Sequence, residues 1–127
     1  MKNYTTNRDI FLFDTYAILE IVSGSKAYEK YLDSGIIINE FIFAELCYKL
    51  LREKVTNADE YIGKYSKFIL RAEPMVIKEA MVFRIVNIKK KFSMTDCVSY
   101  IMSKKLNIKF LTGDKEFEEF DNVEFVK

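Results

Sequence analysis

Two aspartates in this sequence each follow a short run that is typical of a buried β-strand. Asp14 comes directly after Ile10–Phe13, and Asp114 comes three residues after the run 108–111. The first run consists of four apolar residues with aromatic bulk, which favours a strand covered on both faces. In open α/β sheets, ligands bind beyond the carboxyl ends of such strands. The two aspartates are therefore expected to share one edge of a sheet.

Two further carboxylates are predicted to lie near the same edge. Asp96 falls in the first turn of a helix that begins at Ser93, and Glu45 lies inside a helix that follows a β-branched strand at 36–38. In a parallel sheet with helical crossovers, the helices start on the side where the strands end. Almost every neighbour of Glu45 within 41–48 is apolar, so its helix is predicted to be largely buried. The four carboxylates are expected to meet in one cleft.

Such a cluster has a direct chemical use. Carboxylates at close range repel one another, and a bound divalent cation removes that repulsion. Mg²⁺ and Mn²⁺ prefer oxygen ligands and keep several waters, and a metal-bound water can attack a phosphodiester. The sequence contains no histidine, which excludes a histidine base, a Ser-His-Asp triad and histidine-ligated zinc. We therefore predict a site for Mg²⁺ or Mn²⁺ at this edge.

Each carboxylate also has a simpler structural explanation. Asp14 and Asp114 at helix starts are typical N-caps, worth about 1 kcal/mol each. The segment 93–96, Ser-Met-Thr-Asp, resembles a capping box with Asp in place of Glu. A buried Glu45 could instead form a salt bridge with a lysine from elsewhere, because a buried carboxylate needs a partner. The joint placement of the four acids, rather than any single one, favours the metal site.

The rest of the pattern predicts one α/β domain over residues 1–127. Half of the residues are hydrophobic, which is enough for a real core, and the chain has one proline and no linker-like stretch. Short strands separated by helices favour a parallel sheet with helices on both faces. The predicted strands are 10–13, 36–38, 75–77, 108–111 and 123–126. The predicted helices are 15–22, 26–33, 40–52, one from 56 or 57 onward, 78–91, 93–106 and 114–120.

Charge and cysteine content restrict the class of protein. The net charge of +1 excludes a globally basic nucleic-acid binder but permits local patches. Arg84, Lys89, Lys90 and Lys91 form such a patch, to which we assign a weak role in contacting a nucleic-acid backbone, although lysines at a helix end have an equally ordinary explanation.

The two cysteines and the polar start of the chain bear on the compartment. Cys47 and Cys97 fit neither a disulfide framework nor a zinc spacing, so a reducing cytoplasm is the simpler expectation. Residues 1–9 are polar, and the apolar run behind them stops after four residues. That run is too short for a signal-peptide core or a membrane span, and we expect no membrane association.

Taken together, these residues make the sequence similar to the PIN-domain ribonucleases, and most similar to the VapC-type toxins of prokaryotic toxin–antitoxin pairs. The resemblance covers nearly the whole chain. It implies a three-layer α/β/α PIN-like domain with a five-stranded parallel sheet, an acidic pocket holding Mg²⁺ or Mn²⁺, and cleavage of RNA. The matching segments are Phe-Leu-Phe-Asp-Thr at 11–15, Ala-Glu-Leu at 44–46, Thr-Asp-Cys at 95–97, Leu-Thr-Gly-Asp-Lys-Glu-Phe at 111–117 and Val-Glu-Phe-Val at 123–126.

The resemblance also implies roles for individual residues. Asp14, Asp96 and Asp114 would bind the metal directly. Glu45 would bind it through water or orient the attacking water. Thr112 would be a supporting hydroxyl beside Asp14.

Further expectations concern Glu116 and the partners of the protein. Glu116 stands where the family often has a second aspartate, and it is predicted to support the site. A VapC-type toxin would be a homodimer that is inhibited by a cognate antitoxin, a protein that covers or enters the pocket.

Other readings remain open at this point. The same pocket would serve an RNA-processing nuclease outside any toxin–antitoxin pair, or a DNA-directed or structure-specific nuclease. A catalytically silent PIN-like binding module is a further alternative, against which the presence of all four acids argues. A phospho-receiver domain is disfavoured, because the end of the predicted third strand reads Ile-Lys-Glu at 77–79 instead of presenting an aspartate.

Overall fold

Four parallel strands form the central sheet of the protein, which a computed structural model describes over residues 9–127. In chain order these strands are β1 (Ile10–Phe13), β2 (Gly35–Ile37), β3 (Lys109–Thr112) and β4 (Val123–Phe125). They lie in the order β2-β1-β3-β4, and each neighbouring pair is parallel. The carboxyl ends of the strands therefore share one edge. The prediction for residues 1–8, a polar start without a signal-peptide core, lies outside the described residues.

Helices cover both faces of this sheet. Phe11, Leu12 and Phe13 are all buried, although successive side chains of a strand point to opposite faces. The predicted three-layer α/β/α architecture is therefore confirmed. Within residues 9–127, no helix is long and apolar enough to cross a bilayer. The helices are α1 (Thr15–Val22), α2 (Glu40–Arg52), α3 (Ala58–Ser66), α4 (Pro74–Val86) and α5 (Met94–Leu106), with short 3₁₀ helices at Lys26–Tyr31 and Lys115–Phe117.

The predicted third strand, at 75–77, is wrong, because these residues form the first turn of α4. Pro74 occupies the first helical position, where its fixed φ and missing N–H are favourable. Of these apolar residues, Val76 and Ile77 pack against the hydrophobic core and Met75 is exposed, and none of them pairs in the sheet. The sheet accordingly has four strands rather than the expected five within residues 9–127. An isolated parallel bridge between Ile38 and Ile69 extends its β2 edge.

The predicted short helices are also corrected in type and length. The segments 26–33 and 114–120 contain only the 3₁₀ helices Lys26–Tyr31 and Lys115–Phe117. The helix expected at 78–91 begins earlier, at Pro74, and ends at Val86. In contrast, α2 and α5 lie where they were predicted. Asn39 caps α2 by accepting a hydrogen bond from the Ile42 N–H at 2.8 Å.

An aromatic cluster fixes the start of α5 relative to the end of β3. Phe92, which directly precedes the cap of α5, stacks on Phe117 with ring centroids 4.3 Å apart. Tyr100 of α5 contacts the same ring at 5.4 Å, and all three rings are buried. Asp96 lies in the first turn of α5, and Asp114 lies between β3 and the 3₁₀ helix that contains Phe117. The packing of these rings therefore sets how far apart the two carboxylates lie.

Candidate active site

A cleft of about 820 Å³ opens at the carboxyl edge of the sheet. It is built from the ends of β1 and β3, the middle of α2 and the start of α5, together with α1. Five acidic side chains line it, and the fold thus brings together residues that are far apart in sequence. Four of these acids, Asp14, Glu45, Asp96 and Asp114, were predicted from the sequence, whereas the fifth, Glu20 of α1, was not.

Asp14 forms the buried floor of this cleft and is only 5% exposed. Although it occupies the N-cap position of α1, its side chain makes no capping hydrogen bond. It instead accepts a hydrogen bond from the Thr112 hydroxyl, with Oγ1 2.6 Å from Asp14 Oδ2. The same hydroxyl oxygen accepts a hydrogen bond from the Asp114 N–H at 3.1 Å. Thr112 thus lies beside Asp14 and links the ends of β1 and β3.

Asp96 and Asp114 do take part in helix capping, Asp96 from the first turn of α5 and Asp114 as the N-cap of the 3₁₀ helix Lys115–Phe117. Asp96 Oδ2 accepts a hydrogen bond from the Ser93 N–H at 2.9 Å, and the Ser93 hydroxyl accepts one from the Asp96 N–H at 3.0 Å. The predicted capping box is therefore confirmed. Asp114 Oδ1 accepts a hydrogen bond from the Glu116 N–H at 3.0 Å. Capping and lining the cleft do not exclude each other, because both carboxylates also face the cleft.

Glu45 lies in a different environment from the one predicted. The helix α2 buries only one stripe, formed by Ile42, Leu46 and Leu50, whereas Tyr48 is 60% exposed. The expectation of a largely buried helix is wrong, because the apolar residues on its outer side face solvent. Glu45 itself is partly exposed and accepts a hydrogen bond from the Thr15 hydroxyl at 2.9 Å. The alternative of a salt bridge to lysine is not found within residues 9–127.

The remaining predicted residues lie outside the lining of the cleft. Glu116 accepts a long hydrogen bond, 3.3 Å, from the Lys91 N–H. Lys89, Lys90 and Lys91 are exposed, and Arg84 has a buried Nε that no hydrogen-bond acceptor contacts within residues 9–127. The supporting role of Glu116 and the RNA contact of the basic segment stay predictions.

Burial and neighbouring negative charge raise the pKa values of two aspartates in the cleft. Burial, together with the negative charge of Asp96, raises the pKa of Asp14 to about 7, although the hydrogen bond from Thr112 opposes this shift. Burial also raises the pKa of Asp96 to about 6; the hydrogen bond from the Ser93 N–H lowers it, and the charge of Asp114 adds to the increase. Within residues 9–127, no lysine or arginine forms an ion pair with any of the four acids. An added cation would relieve both effects.

The donor set of the cleft fits a hard divalent cation. No group of three or more Asp, Glu or Cys side chains in residues 9–127 is arranged so that it could hold a metal ion by itself. Mg²⁺ and Mn²⁺ do not need such a cage, because they keep several waters and bind proteins through one or two carboxylates together with substrate oxygens. Oxygen donors with uncompensated charge and without histidine match this preference.

Several residues that line the cleft were not predicted from the sequence. Tyr48 and Lys49 line the cleft beside Glu45, and Lys115 and Lys127 line it near Asp114. A signal for the first two existed, because positions three and four residues after Glu45 lie on the same side of a helix. Lys115 lies in the segment 111–117, which was recognised as similar to the PIN-domain ribonucleases. Lys127 could not be found in this way, because only the pairing of β4 with β3 brings the end of the chain to the cleft.

Gly113 is a packing-critical position of the cleft. A Cβ atom at Gly113 would overlap the Tyr16 ring and the backbone carbonyl oxygen of Val126. We expect Gly113→Ala to lower the free energy of unfolding by about 1–3 kcal/mol, because the backbone must shift. Gly63→Ala in α3 is the matched control; nothing lies within 4 Å of its Cβ, so it should stabilise by about 0.5–1 kcal/mol. Urea unfolding measures both, and a Gly113→Ala variant as stable as the wild type would contradict the predicted overlap.

Comparison with known proteins identifies the family. The sequence profile of the PIN domain matches residues 11–123, and the chain therefore belongs to the PIN domain family. The resemblance inferred from the short motifs is thereby confirmed at the level of the family. No curated protein matches the chain closely enough to count as a relative.

Among solved structures, the fold is similar to that of toxins from several bacteria. One is VapC20 of Mycobacterium tuberculosis, described as a sarcin-ricin loop cleaving toxin, with 14% identity, coverage of 94% of this chain and 100% of that one, and a TM-score of 0.77. A second is a toxin–antitoxin complex from Klebsiella pneumoniae, with 17% identity, coverage of 90% and 95%, and a TM-score of 0.73. A third is VapBC2 of Rickettsia felis bound to a promoter DNA fragment, with 16% identity, coverage of 91% and 96%, and a TM-score of 0.71. At these identities the similarity establishes the fold.

Proposed function

We propose that this protein is a metal-dependent endoribonuclease that hydrolyses RNA phosphodiester bonds and acts as the toxin of a toxin–antitoxin pair. The observation that carries the proposal is the meeting of Asp14, Glu45, Asp96 and Asp114 in one cleft, where none of them forms an ion pair with a lysine or arginine of residues 9–127. Membership of the PIN domain family supports it, and so do structural neighbours that are named as toxins.

The four predicted acids of the cleft would have distinct roles in the reaction. Of Asp14, Asp96 and Asp114, one or two would bind Mg²⁺ or Mn²⁺ directly and the others through metal-held water. When bound, the cation acidifies a water and neutralises charge on the phosphoryl oxygens. Glu45, which is hydrogen-bonded to the Thr15 hydroxyl, would orient the attacking water.

Two supporting contacts would keep the carboxylates in place. The Thr112 hydroxyl fixes one oxygen of Asp14, and the capping box with Ser93 fixes one oxygen of Asp96. Both carboxylates are thereby oriented before any ligand binds, which lowers the cost of ordering them.

The proposal includes an antitoxin, a homodimer and a cytoplasmic location. One surface is suited to a dimer: Val82, Ile85 and Val86 share one face of α4 and are 55%, 71% and 75% exposed. For the toxin assignment, the discriminating observation is a short open reading frame directly upstream whose product forms a complex with this protein and inhibits it. Without such a product, an RNA-processing PIN nuclease outside any toxin–antitoxin pair becomes the better reading.

Removal of the metal is the direct test of the nuclease. In Mg²⁺ or Mn²⁺ the purified protein should cleave RNA, and excess EDTA should reduce the rate at least about 100-fold, because the metal supplies several kcal/mol of the transition-state stabilisation. Adding Mn²⁺ back in excess over EDTA is the control for denaturation. Cleavage that persists in EDTA would contradict the metal mechanism. RNA binding without cleavage in either metal would favour the silent binding module, and cleavage of DNA alone would favour a deoxyribonuclease.

A further inference from the structure

Three lysines lie on opposite walls of the acidic cleft. Lys49 belongs to the α2 wall, one helical turn beyond Glu45, while Lys115 and Lys127 follow the ends of β3 and β4. The sheet order places β1, which ends at Asp14, between the β2–α2 side and the β3–β4 side. Positive charge therefore flanks the carboxylates on both sides across the edge of the sheet.

These lysines are not used to stabilise the fold. Within residues 9–127, none of the three forms an ion pair or a side-chain hydrogen bond, whereas Lys104 pairs with Asp121 at 3.3 Å and Lys105 with Glu79 at 2.9 Å. The three cleft lysines also stay farther than the 4.0 Å of an ion pair from the neighbouring carboxylates. Their charge is thus available to an anion that enters the cleft.

A nucleic-acid strand that approaches the acidic cleft meets electrostatic repulsion from its carboxylates. A metal held by these carboxylates would neutralise the phosphate that reacts, but it would not neutralise the phosphates before and after it. Cations on both walls would compensate those neighbours and fix the direction of the strand across the cleft. Phosphate contacts of this kind position a strand and carry no sequence information.

We propose that Lys49 on one wall and Lys115 with Lys127 on the other bind the phosphates that flank the scissile phosphate of an RNA strand. This inference rests on the proposed nuclease function and adds the residues that position its substrate. It also locates the positioning surface at the cleft, in place of the basic segment from Arg84 to Lys91.

Equilibrium binding tests the inference without relying on turnover. The probe is a fluorescein-labelled single-stranded RNA of mixed sequence, titrated by fluorescence anisotropy in Mn²⁺ at several salt concentrations. The protein carries Asp96→Asn in every case, and gel electrophoresis verifies that the probe remains intact. Asn at position 96 keeps an oxygen that can accept the Ser93 N–H, so the cap of α5 is maintained.

Each cleft lysine should contribute one phosphate contact. Lys49→Ala and Lys115→Ala should each lower the slope of log K against log salt by about 0.7, and the double variant by about twice that amount. Lys→Arg at either position should keep most of the slope, because it keeps the charge. In active protein, both Ala variants should raise KM while changing kcat little, since flanking contacts act in ground and transition state alike.

Two lysines outside the cleft serve as comparisons. Lys67→Ala, an exposed position after α3, should leave binding unchanged. Lys89→Ala tests the basic segment: a larger loss of slope there than at Lys115 would overturn the inference, and so would cleft variants that bind with the wild-type slope. Thermal unfolding of Lys49→Ala and Lys115→Ala should match that of the parent, which separates lost contacts from lost structure.

The inference and the proposed function can fail separately. A protein that binds RNA through the cleft lysines but cleaves nothing would refute the nuclease and keep the binding surface. A protein that cleaves RNA in Mn²⁺ with an unchanged KM in both lysine variants would keep the nuclease and refute the positioning role.

Discussion

Replacing Asp14 by asparagine should reduce RNA cleavage at least about 100-fold and, at the same time, stabilise the metal-free protein. Loss of activity is expected because Asp14 is the acid on the floor of the cleft, where an amide oxygen is a much weaker ligand for a hard cation. The gain in stability is expected because an ionised carboxylate at this buried position is unfavourable. The Thr112 hydroxyl can still donate its hydrogen bond to the asparagine oxygen.

The size of the stability gain follows from the raised pKa of Asp14. A carboxyl whose pKa is about 7 in the folded state and 3.8 as the reference value is destabilising when it is forced to ionise. At pH 8 without metal, Asp14→Asn should raise the free energy of unfolding by about 4 kcal/mol. Urea unfolding in EDTA measures this value.

A matched substitution makes the result of Asp14→Asn interpretable. Asp33→Asn changes the same functional group at an exposed position outside the cleft, and it should alter stability by less than about 0.5 kcal/mol. If Asp14→Asn instead loses about 1 kcal/mol, the N-cap explanation gains support. If its cleavage rate equals that of the wild type, Asp14 is not a metal ligand.

The metal-free protein should become more stable as the pH falls from 8 to 5. Asp14 and Asp96 have folded-state pKa values of about 7 and about 6, both above the reference value of 3.8. The native protein therefore takes up protons at a higher pH than the unfolded chain does. Because stability rises with pH only where the unfolded state binds more protons, here it must rise as the pH decreases.

The expected increase between pH 8 and pH 5 is about 4 kcal/mol for the two groups together. The absence of histidine makes the measurement cleaner, since histidine is the side chain that ordinarily titrates in this range. Urea midpoints at several pH values, in EDTA, give the dependence. Asp14→Asn should remove the larger part of it, and Mn²⁺ at pH 8 should restore stability to the wild type. A wild-type protein whose stability decreases on acidification over this range would contradict the unbalanced acidic cluster.

The positions of the strands that matter to the site could be predicted from local sequence. Ile10–Phe13 is buried on both faces, and such a run has few alternatives to a central strand. The start of α5 could also be predicted, because Ser93 and Asp96 are spaced as in a capping box. In that motif each side chain accepts a hydrogen bond from the backbone N–H of the other residue. Periodicity failed at 75–77, where apolar residues belong to a helix that packs against α5. Over three residues, an apolar run does not distinguish a strand from a buried helical turn.

The sequence by itself excluded a histidine base and histidine-ligated zinc, since the chain lacks histidine, and it indicated that Asp14 and Asp114 follow strands. Only the tertiary structure decided how each carboxylate is used. It gave Asp14 a hydrogen bond from Thr112, 98 residues away, in place of a cap, and it exposed the Glu45 wall that was expected to be buried. It also brought Lys127 to the cleft through the pairing of β3 and β4. Local sequence fixes which elements form, but burial and charge at the site depend on which elements pack together, and those contacts join residues distant in the chain.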